Sequence, residues 1–108
     1  MYSKRAIDRA GSTIMSDSFV RKHIVVSGQV QGVGFRYRAM HAASALGLTG
    51  WVRNDPSGTV TMEIQGEEEQ IQRIIPMIEN SSWISIESCD EKYIPVDVSE
   101  SGFRVRGY

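Results

Sequence analysis

The sequence has few of the residues that would point to a disulfide scaffold or a metal site. Its 108 residues include one cysteine, Cys89, two histidines and three prolines. A single cysteine cannot form an intramolecular disulfide, and no spacing of cysteine and histidine is typical of structural zinc. No apolar run approaches the roughly 20 residues that span a bilayer. These shortages argue against a disulfide-rich domain, a zinc domain and a helical membrane protein.

The sequence also lacks a clear excess of positive over negative charge, or of negative over positive charge. Lys and Arg number 12 against 13 Asp and Glu, which gives a formal net charge of −1. Proteins dedicated to nucleic acids or membrane surfaces usually carry a clear basic excess. We therefore expect neither partner. Apolar residues make up 41% of the chain, and its length fits one domain with a single core.

The first 21 residues differ in character from the remainder. They carry four basic and two acidic residues, a net charge of 4 − 2 = +2, which leaves −3 for the remainder. They lack the apolar region of a secretory signal, although their arginine and serine content leaves a mitochondrial transit peptide as the alternative. We predict a mobile extension over 1–21 without a catalytic role, a domain over 22–108, and a cytoplasmic monomer.

From residue 22 onward, apolar residues recur with the periods of strands and helices. Residues 35–46 have apolar side chains at helical spacing and are followed by Gly47, a residue type typical of helix ends. Residues 59–65 alternate apolar and polar residues, which predicts a strand with one buried and one solvent-exposed face. The predicted elements, in order, are strand 23–27, helix 35–46, strands 48–54 and 59–65, helix 67–79, strand 82–93 and a short strand 103–106.

This order is that of the ferredoxin-like α+β fold, βαββαβ. It predicts a four- to five-stranded antiparallel sheet with two helices on one face. Pro76 lies within the second predicted helix, where proline loses a hydrogen bond and clashes with the preceding turn. We expect a kink there or an end at Ile75. The fold hosts enzymes, metal carriers and RNA-binding proteins, so it does not assign a function.

The most informative segment is the glycine-rich connection 28–36, Gly-Gln-Val-Gln-Gly-Val-Gly-Phe-Arg, which joins a strand to a helix. Helix N-termini present unpaired N–H groups and a partial positive charge. Glycines allow successive N–H groups to form a concave anion site, and Arg36 adds a guanidinium that can hold two anion oxygens. The segment predicts a phosphate or carboxylate site. It is not a Walker A loop, because Phe35 and Arg36 replace the required Lys-Ser/Thr.

Together with 50–54, Gly-Trp-Val-Arg-Asn, this connection resembles the acylphosphatase family. The family pairs a G-x-V-Q-G-V-x-F-R loop with a G-x-V-x-N segment, and both motifs match here in order. The resemblance runs from about residue 23 to 108. It implies hydrolysis of a small acyl phosphate to a carboxylate and inorganic phosphate, with no metal and no cofactor.

The resemblance also implies a role for individual residues. Arg36 corresponds to the arginine that binds the phosphoryl group, and Asn54 to the asparagine that holds the attacking water. The amides that assist the arginine correspond to Gln31, Gly32, Val33, Gly34, Phe35 and Arg36. The chemistry is consistent, because a carboxylate is a good leaving group that needs no strong general acid. Asn54 is neutral, so it can orient water but cannot act as a base.

Two other functions remain to be weighed. One is a non-catalytic phosphate-binding module of the same fold, since similar domains occur within larger maturation proteins that handle carbamoyl phosphate. The other is single-stranded RNA binding, which uses aromatic residues on the sheet. Residues 59–65 contain no aromatic side chain, and a charge of −3 opposes binding to a phosphate backbone. His23, His41 and Cys89 are expected to have structural or solvent-exposed roles.

Overall fold

The order of strands and helices is the predicted one, including the short fifth strand. The computed structural model describes residues 18–81 and 83–107. Its elements are β1 (Phe19–Gln29), α1 (Phe35–Leu46), β2 (Thr49–Asn54), β3 (Val60–Glu67), α2 (Glu68–Glu79), β4 (Ser85–Ile94) and β5 (Phe103–Arg106). Because β1 begins at Phe19, the last three residues of the predicted extension lie in the sheet. Residues 1–17 of that extension lie outside the described residues.

The five strands form one sheet in the order β4-β1-β3-β2-β5. β1 is antiparallel to β3 and β4, and β2 is antiparallel to β3. β5 is parallel to β2, with Phe103 opposite Gly50 and Arg106 opposite Arg53. The prediction of a wholly antiparallel sheet was therefore wrong at this edge. The chain reverses between β4 and β5, and since β2 already runs opposite to β4, β5 takes the direction of β2.

The hydrophobic core lies between the two helices and one face of the sheet. α1 contributes mainly small side chains, whereas α2 contributes isoleucines, and both pack on the apolar residues of β1, β2 and β3. The buried members are Ile24, Val26, Phe35, Ala39, Ala42, Ala43, Val52, Val60, Met62, Ile64, Ile71, Ile74 and Ile78. The helical stripes expected from the sequence are thus the faces that pack on the sheet, and α1 is thereby held with its N-terminus at the end of β1.

The face of the sheet that lies opposite to the helices is here called the open face, because neither helix packs on it. Its centre is nevertheless buried. Thr61 and Gln65 on β3 are only 4% exposed, although their alternation with apolar residues predicted a solvent-exposed face. The side-chain amide of Gln65 donates to the Asp97 carbonyl at 2.8 Å and accepts from the Asp97 N–H at 2.9 Å. The β4–β5 connection therefore lies over β3. An alternating pattern cannot reveal cover by a segment distant in sequence.

The two helices end differently. α1 ends at Gly47, which has a left-handed φ of 71°, as the sequence predicted. α2 continues past Pro76 to Glu79, so an end at Ile75 was wrong. Its last turn is held by Arg38 of α1, whose guanidinium donates to the carbonyls of Ile78 at 3.1 Å, Met77 at 3.1 Å and Asn80 at 2.8 Å. These bonds supply donors to carbonyls that a helix end leaves unpaired.

Replacing Arg38 with alanine is expected to lower the melting temperature by several degrees. The change removes three charge-assisted hydrogen bonds between the helices, and loss of such contacts costs about 1–3 kcal/mol. Thermal unfolding followed by circular dichroism measures the shift. The matched control is Arg73→Ala, because Arg73 is an exposed arginine of α2. Equal melting temperatures for the two variants would contradict this role of Arg38.

Candidate active site

The connection between β1 and α1 is shaped by two glycines and one buried valine. Val30 is 1% exposed and anchors the connection in the core. Gly32 and Gly34 have φ angles of 74° and 82°, in the left-handed region that favours glycine. A Cβ atom at either position would meet no heavy atom within 4 Å. The backbone angle, and not a lack of space, therefore selects glycine at both positions.

The backbone N–H groups of this connection have no acceptor in the described part of the chain. The first hydrogen bond that leads into α1 is donated by the Arg38 N–H to the Gly34 carbonyl at 3.0 Å. The N–H groups of the predicted phosphate-binding residues all precede the Arg38 N–H in the chain, and none of them donates to a described residue. These N–H groups belong to Gln31, Gly32, Val33, Gly34, Phe35 and Arg36. Unpaired N–H groups at a helix N-terminus suit an anion.

A pocket of about 440 Å³ opens beside these N–H groups. It is lined by Val30, Gly32, Gly34, Phe35, Arg36, Tyr37, Asn54, Val105 and Gly107. The structure thus brings Arg36 and Asn54, from two separate motifs, to one cavity. Gln31 and Val33 do not line it, so only their backbone N–H groups can contribute directly to anion binding. Among the described residues, none that lines the pocket carries a carboxylate or an imidazole.

Four lining residues, Val30, Tyr37, Val105 and Gly107, were not in the site predicted from the sequence. Tyr37 follows Arg36, a position from which its ring can pack or border the pocket, but the motif assigns it no role in the site. Val105 and Gly107 reach the pocket because β5 pairs with β2, with Val105 opposite Val52. The partner of a short edge strand is a long-range contact, which local patterns do not reveal. Tyr37 is 66% exposed and Val105 is 38% exposed, so both lie at the open rim of the pocket.

Arg36 supplies the positive charge of the pocket. Its Nη1 atom donates to the Arg106 carbonyl at 3.2 Å, which ties the side chain to β5. Arg36 forms no ion pair with a carboxylate anywhere in residues 18–81 and 83–107. A guanidinium has five N–H donors, so most of the donors remain available and the charge is uncompensated. This arrangement can hold two oxygens of a phosphoryl group.

Asn54 is the last residue of β2 and is 8% exposed. Its side-chain amide makes no hydrogen bond to any described residue. Leaving a buried polar group unpaired costs about 1–3 kcal/mol, so the pocket is the place where this amide can find a partner. Its carbonyl oxygen can accept a hydrogen bond from water, and its NH₂ group can donate to a phosphoryl oxygen.

The turn that follows Asn54 is held by the carboxylate of Asp55. This carboxylate accepts hydrogen bonds from Arg53 Nε at 3.0 Å, Thr59 Oγ1 at 2.8 Å and Thr61 Oγ1 at 2.6 Å. Burial alone would raise the pKa of Asp55, but the bonds from Thr61, Thr59 and Arg53 outweigh it and lower this pKa below its ordinary value. The charged carboxylate therefore stabilises the turn and limits the movement of Asn54.

Gln31 joins the phosphate-binding loop to this turn. Its Nε2 atom donates to the Asp55 carbonyl at 2.7 Å and to the Thr59 carbonyl at 2.8 Å. The sequence predicted a backbone contribution from Gln31, and the side-chain contact is an addition from the structure. Because Asp55 directly follows Asn54, the glutamine sets the position of Asn54 relative to the loop. Gln31 is thus a positioning residue.

Replacing Gln31 with alanine is expected to lower kcat by roughly 10- to 100-fold. Removal of both side-chain bonds lets the turn move, and a displacement of about 1 Å in an active site can cost 10²-fold. Steady-state kinetics with an acyl phosphate measures the loss. Gln29→Ala is the matched control, because Gln29 is exposed at the end of β1. If both variants lost the same activity, the link between loop and turn would have no catalytic importance.

The chain's other reactive groups lie away from the pocket. His23 Nδ1 is 2.8 Å from Glu63 Oε2, and the His41 ring packs edge-on against Tyr37. Neither histidine lines the pocket. Among the described residues, no three His, Cys, Asp or Glu side chains lie close enough together to hold a metal ion. No helix in the same ranges is long and apolar enough to cross a membrane.

Cys89 is expected to react slowly with alkylating reagents. Burial and the nearby Glu91 carboxylate raise the pKa of its thiol from 9.0 to about 11, which reduces the reactive thiolate at neutral pH roughly 100-fold. We expect iodoacetamide to modify the native protein far more slowly than the urea-unfolded protein, as measured by mass spectrometry. Equal rates would show that the folded environment does not protect this thiol.

Comparisons with known proteins agree with the geometry of the site. The family model for acylphosphatase matches residues 22–105. An acylphosphatase of Chlorobaculum tepidum is 46% identical over 86 residues, which cover 79% of this chain and 94% of the relative. An acylphosphatase of Clostridium perfringens is 44% identical over 85 residues, which cover 78% of this chain and 96% of the relative.

Solved structures show the same fold. The acylphosphatase from Coxiella burnetii superimposes with a TM-score of 0.75 at 34% identity, covering 82% of this chain and 94% of that chain. Full-length HypF, in a phosphate- and nucleotide-bound form, matches with a TM-score of 0.74 at 31% identity, but the match covers only 12% of that chain. The ferredoxin-like fold is confirmed, and the family match spans most of the sequence. The chain therefore belongs to the acylphosphatase family.

Proposed function

We propose that Arg36 and the N–H groups of 31–36 bind the phosphoryl group of a small acyl phosphate, and that Asn54 orients the attacking water. Family membership makes the chain an acyl phosphate hydrolase; the proposal concerns which residues perform the reaction. One observation carries it. An uncompensated guanidinium, a row of unpaired N–H groups and an unpartnered buried amide surround the same cavity.

The chemistry requires positioning and charge stabilisation more than proton transfer from the protein. The oxygen of water forms a bond to phosphorus while the bond between phosphorus and the bridging oxygen breaks. The electron pair of the broken bond goes to the departing carboxylate, which is a weak base and needs no proton. Arg36 and the loop amides stabilise the charge on the equatorial phosphoryl oxygens. In other phosphoryl-transfer enzymes, Mg²⁺ supplies much of this charge.

Asn54 acts on the nucleophile in this scheme. Its amide oxygen accepts a hydrogen bond from the water and directs a lone pair of the water oxygen toward phosphorus, which lowers the entropic cost of the attack. Asn54 takes no proton, because an amide is not a base. Among the described residues, no carboxylate or imidazole lines the pocket, so we assign the proton that the water loses to a phosphoryl oxygen of the substrate.

A metal-free assay tests the proposed scheme. The purified full chain is given benzoyl phosphate in the presence of excess EDTA, and release of benzoate is followed. We expect hydrolysis at the same rate with EDTA and with added Mg²⁺, because Arg36 and the amides supply the positive charge. A strict requirement for Mg²⁺ would overturn the scheme. Binding of inorganic phosphate without turnover would favour the non-catalytic phosphate-binding module instead.

We also propose that the chain acts as a cytoplasmic monomer and that its first 17 residues take no part in catalysis. Light scattering at working concentration measures the mass directly, and a dimer would contradict the proposal. A chain that starts at Met15 keeps Ser18, whose carbonyl accepts from the Glu68 N–H at 2.7 Å, and it should retain full activity.

A further inference from the structure

The open face of the sheet carries four large side chains at the edge formed by β2 and β5. Trp51 and Arg53 come from β2, and Arg104 and Arg106 come from β5. The parallel register places Trp51 opposite Arg104 and Arg53 opposite Arg106. The β2 residues that alternate with Trp51 and Arg53 are buried toward the helices. These four residues therefore form one surface on the face of the sheet opposite to the helices.

The Trp51 ring holds two of the arginines in place. The Cζ atom of Arg106 lies 4.6 Å from the centroid of the ring, and that of Arg53 lies 5.1 Å from it. A guanidinium stacked on an indole keeps the N–H groups at its edge available for hydrogen bonds. It also loses less conformational freedom when it binds a ligand, because the stack already restricts it.

The two arginines of β5 have no counter-charge in the described part of the chain. Arg53 pairs with the Asp55 carboxylate at 3.0 Å, but neither Arg104 nor Arg106 lies within ion-pair distance of a described acidic side chain. Both β5 arginines are exposed. Neither guanidinium is therefore occupied by an ion pair with a described residue, and both can bind a ligand.

The acidic side chains near Arg104 and Arg106 already have ion-pair or hydrogen-bond partners. Arg21 Nη2 lies 3.2 Å from Glu63 Oε1, and Arg21 Nη1 lies 2.8 Å from Glu100 Oε1. Glu63 has a second partner in His23, at 2.8 Å. The carboxylate of Asp97 accepts from the Ser99 hydroxyl at 2.7 Å and from the Ser99 N–H at 3.0 Å. These carboxylates are therefore poorly available to Arg104 and Arg106.

A cavity of about 480 Å³ adjoins the two arginines. Its charged lining consists of three arginines and three carboxylates, namely Arg21, Arg104, Arg106, Glu63, Asp97 and Glu100. Gly50, Trp51, Ser99 and Ser101 complete the lining. The wall opposite the strands comes from the connection between β4 and β5. Arg36 and Asn54 do not line this cavity, which lies on the face of the sheet opposite to the candidate active site. A ligand in it would not compete with an acyl phosphate.

We propose that this cavity is a second anion site, in which Arg104 and Arg106 bind a small anion that carries at least two negative charges. Side chains two residues apart on a strand leave it about 6.5–7 Å from each other, so both guanidiniums can reach one compact ligand. Two carboxylates or one phosphate group have the required charge and acceptor geometry. Trp51 adjoins the ligand and reports on its arrival.

The site can be studied apart from the active site in one background variant. The chain has two tryptophans, so Trp83→Phe leaves Trp51 as the only indole, and Arg36→Ala removes the cation of the catalytic pocket. Citrate and inorganic phosphate are titrated into this protein at constant ionic strength, with Trp51 fluorescence and calorimetry as readouts. We expect saturable binding of at least one probe, and the two arms distinguish a carboxylate ligand from a phosphate ligand.

Arg104→Ala and Arg106→Ala, each added to that background, should weaken binding about tenfold, as expected for loss of a charge-assisted bidentate contact. Arg73→Ala is the matched control, because it removes the same charge from an exposed position on α2, and it should leave the affinity unchanged. The proposal is overturned if neither probe binds by either readout. It is also overturned if Arg73→Ala weakens binding as much as Arg104→Ala, since diffuse charge alone would then explain the effect.

Discussion

Replacing Arg36 with alanine lowers kcat/KM for benzoyl phosphate by at least about 10³-fold. Loss of one preorganised donor typically costs about 10²–10³ in rate, and Arg36 is also the only cation among the described residues that line the pocket. Inhibition by inorganic phosphate should weaken in parallel, because ground-state and transition-state phosphoryl groups share this contact. Steady-state kinetics with phosphate as a competitive inhibitor measures both effects.

Two further variants make this prediction specific. Arg36→Lys keeps the charge but loses the planar fork of donors, so its activity should fall between those of the native protein and the alanine variant. Arg73→Ala should be fully active. The Arg36 side chain makes one hydrogen bond to the described residues, to the Arg106 carbonyl, so the melting temperature should hardly change. An Arg36→Ala variant with native activity and native phosphate affinity would remove Arg36 from the site.

Replacing Asn54 with alanine lowers kcat by about 10²–10³-fold while KM and the inhibition constant for phosphate stay close to native. The reason is that Asn54 acts on the attacking water, whereas Arg36 and the loop amides bind the phosphoryl group. The native amide has no hydrogen-bond partner among residues 18–81 and 83–107, so its removal costs the fold little. Kinetics and thermal unfolding on the same preparation separate the two effects.

The control for Asn54 is another asparagine. Asn80 is exposed at the end of α2, and its contact with Arg38 uses only the backbone carbonyl, so Asn80→Ala should keep native kinetics. Asn54→Asp preserves the shape of the side chain but brings a negative charge beside the phosphoryl oxygens, and its activity should also be low. Full activity in Asn54→Ala would show that another group holds the water.

The fold could be predicted where local patterns decide it. The apolar spacing over 35–46 and the glycine that follows it predicted both ends of α1. Gly47 adopts a left-handed conformation and ends the helix. The Asp-Pro-Ser-Gly sequence between β2 and β3 has the residue preferences of a type I turn, and in this turn the Gly58 N–H donates to the Asp55 carbonyl at 3.0 Å. The direction of β5 and the cover over Gln65 depend on where the β4–β5 connection lies. No periodicity within a strand contains that information.

In the candidate site as well, local motifs predicted some of the residues and long-range contacts determine the others. Arg36 and Asn54 were identified from motifs, and the structure places both at one pocket. The side-chain bonds from Gln31 to the turn could not be predicted, because they join positions 24 and 28 residues away. Tyr37 and Val105 belong to the pocket rim through packing that the sequence does not encode locally. Long-range contacts therefore account for what the motifs missed.

The central claim is that water held by Asn54 attacks phosphorus, and an isotope experiment tests it most directly. Benzoyl phosphate is hydrolysed by the protein in water enriched in ¹⁸O, with a protein-free sample as the control, and both products are analysed by mass spectrometry. The account predicts that the heavy oxygen enters inorganic phosphate and that benzoate stays unlabelled. Label in benzoate would mean that water attacks the carbonyl carbon, which would contradict the roles of both Arg36 and Asn54.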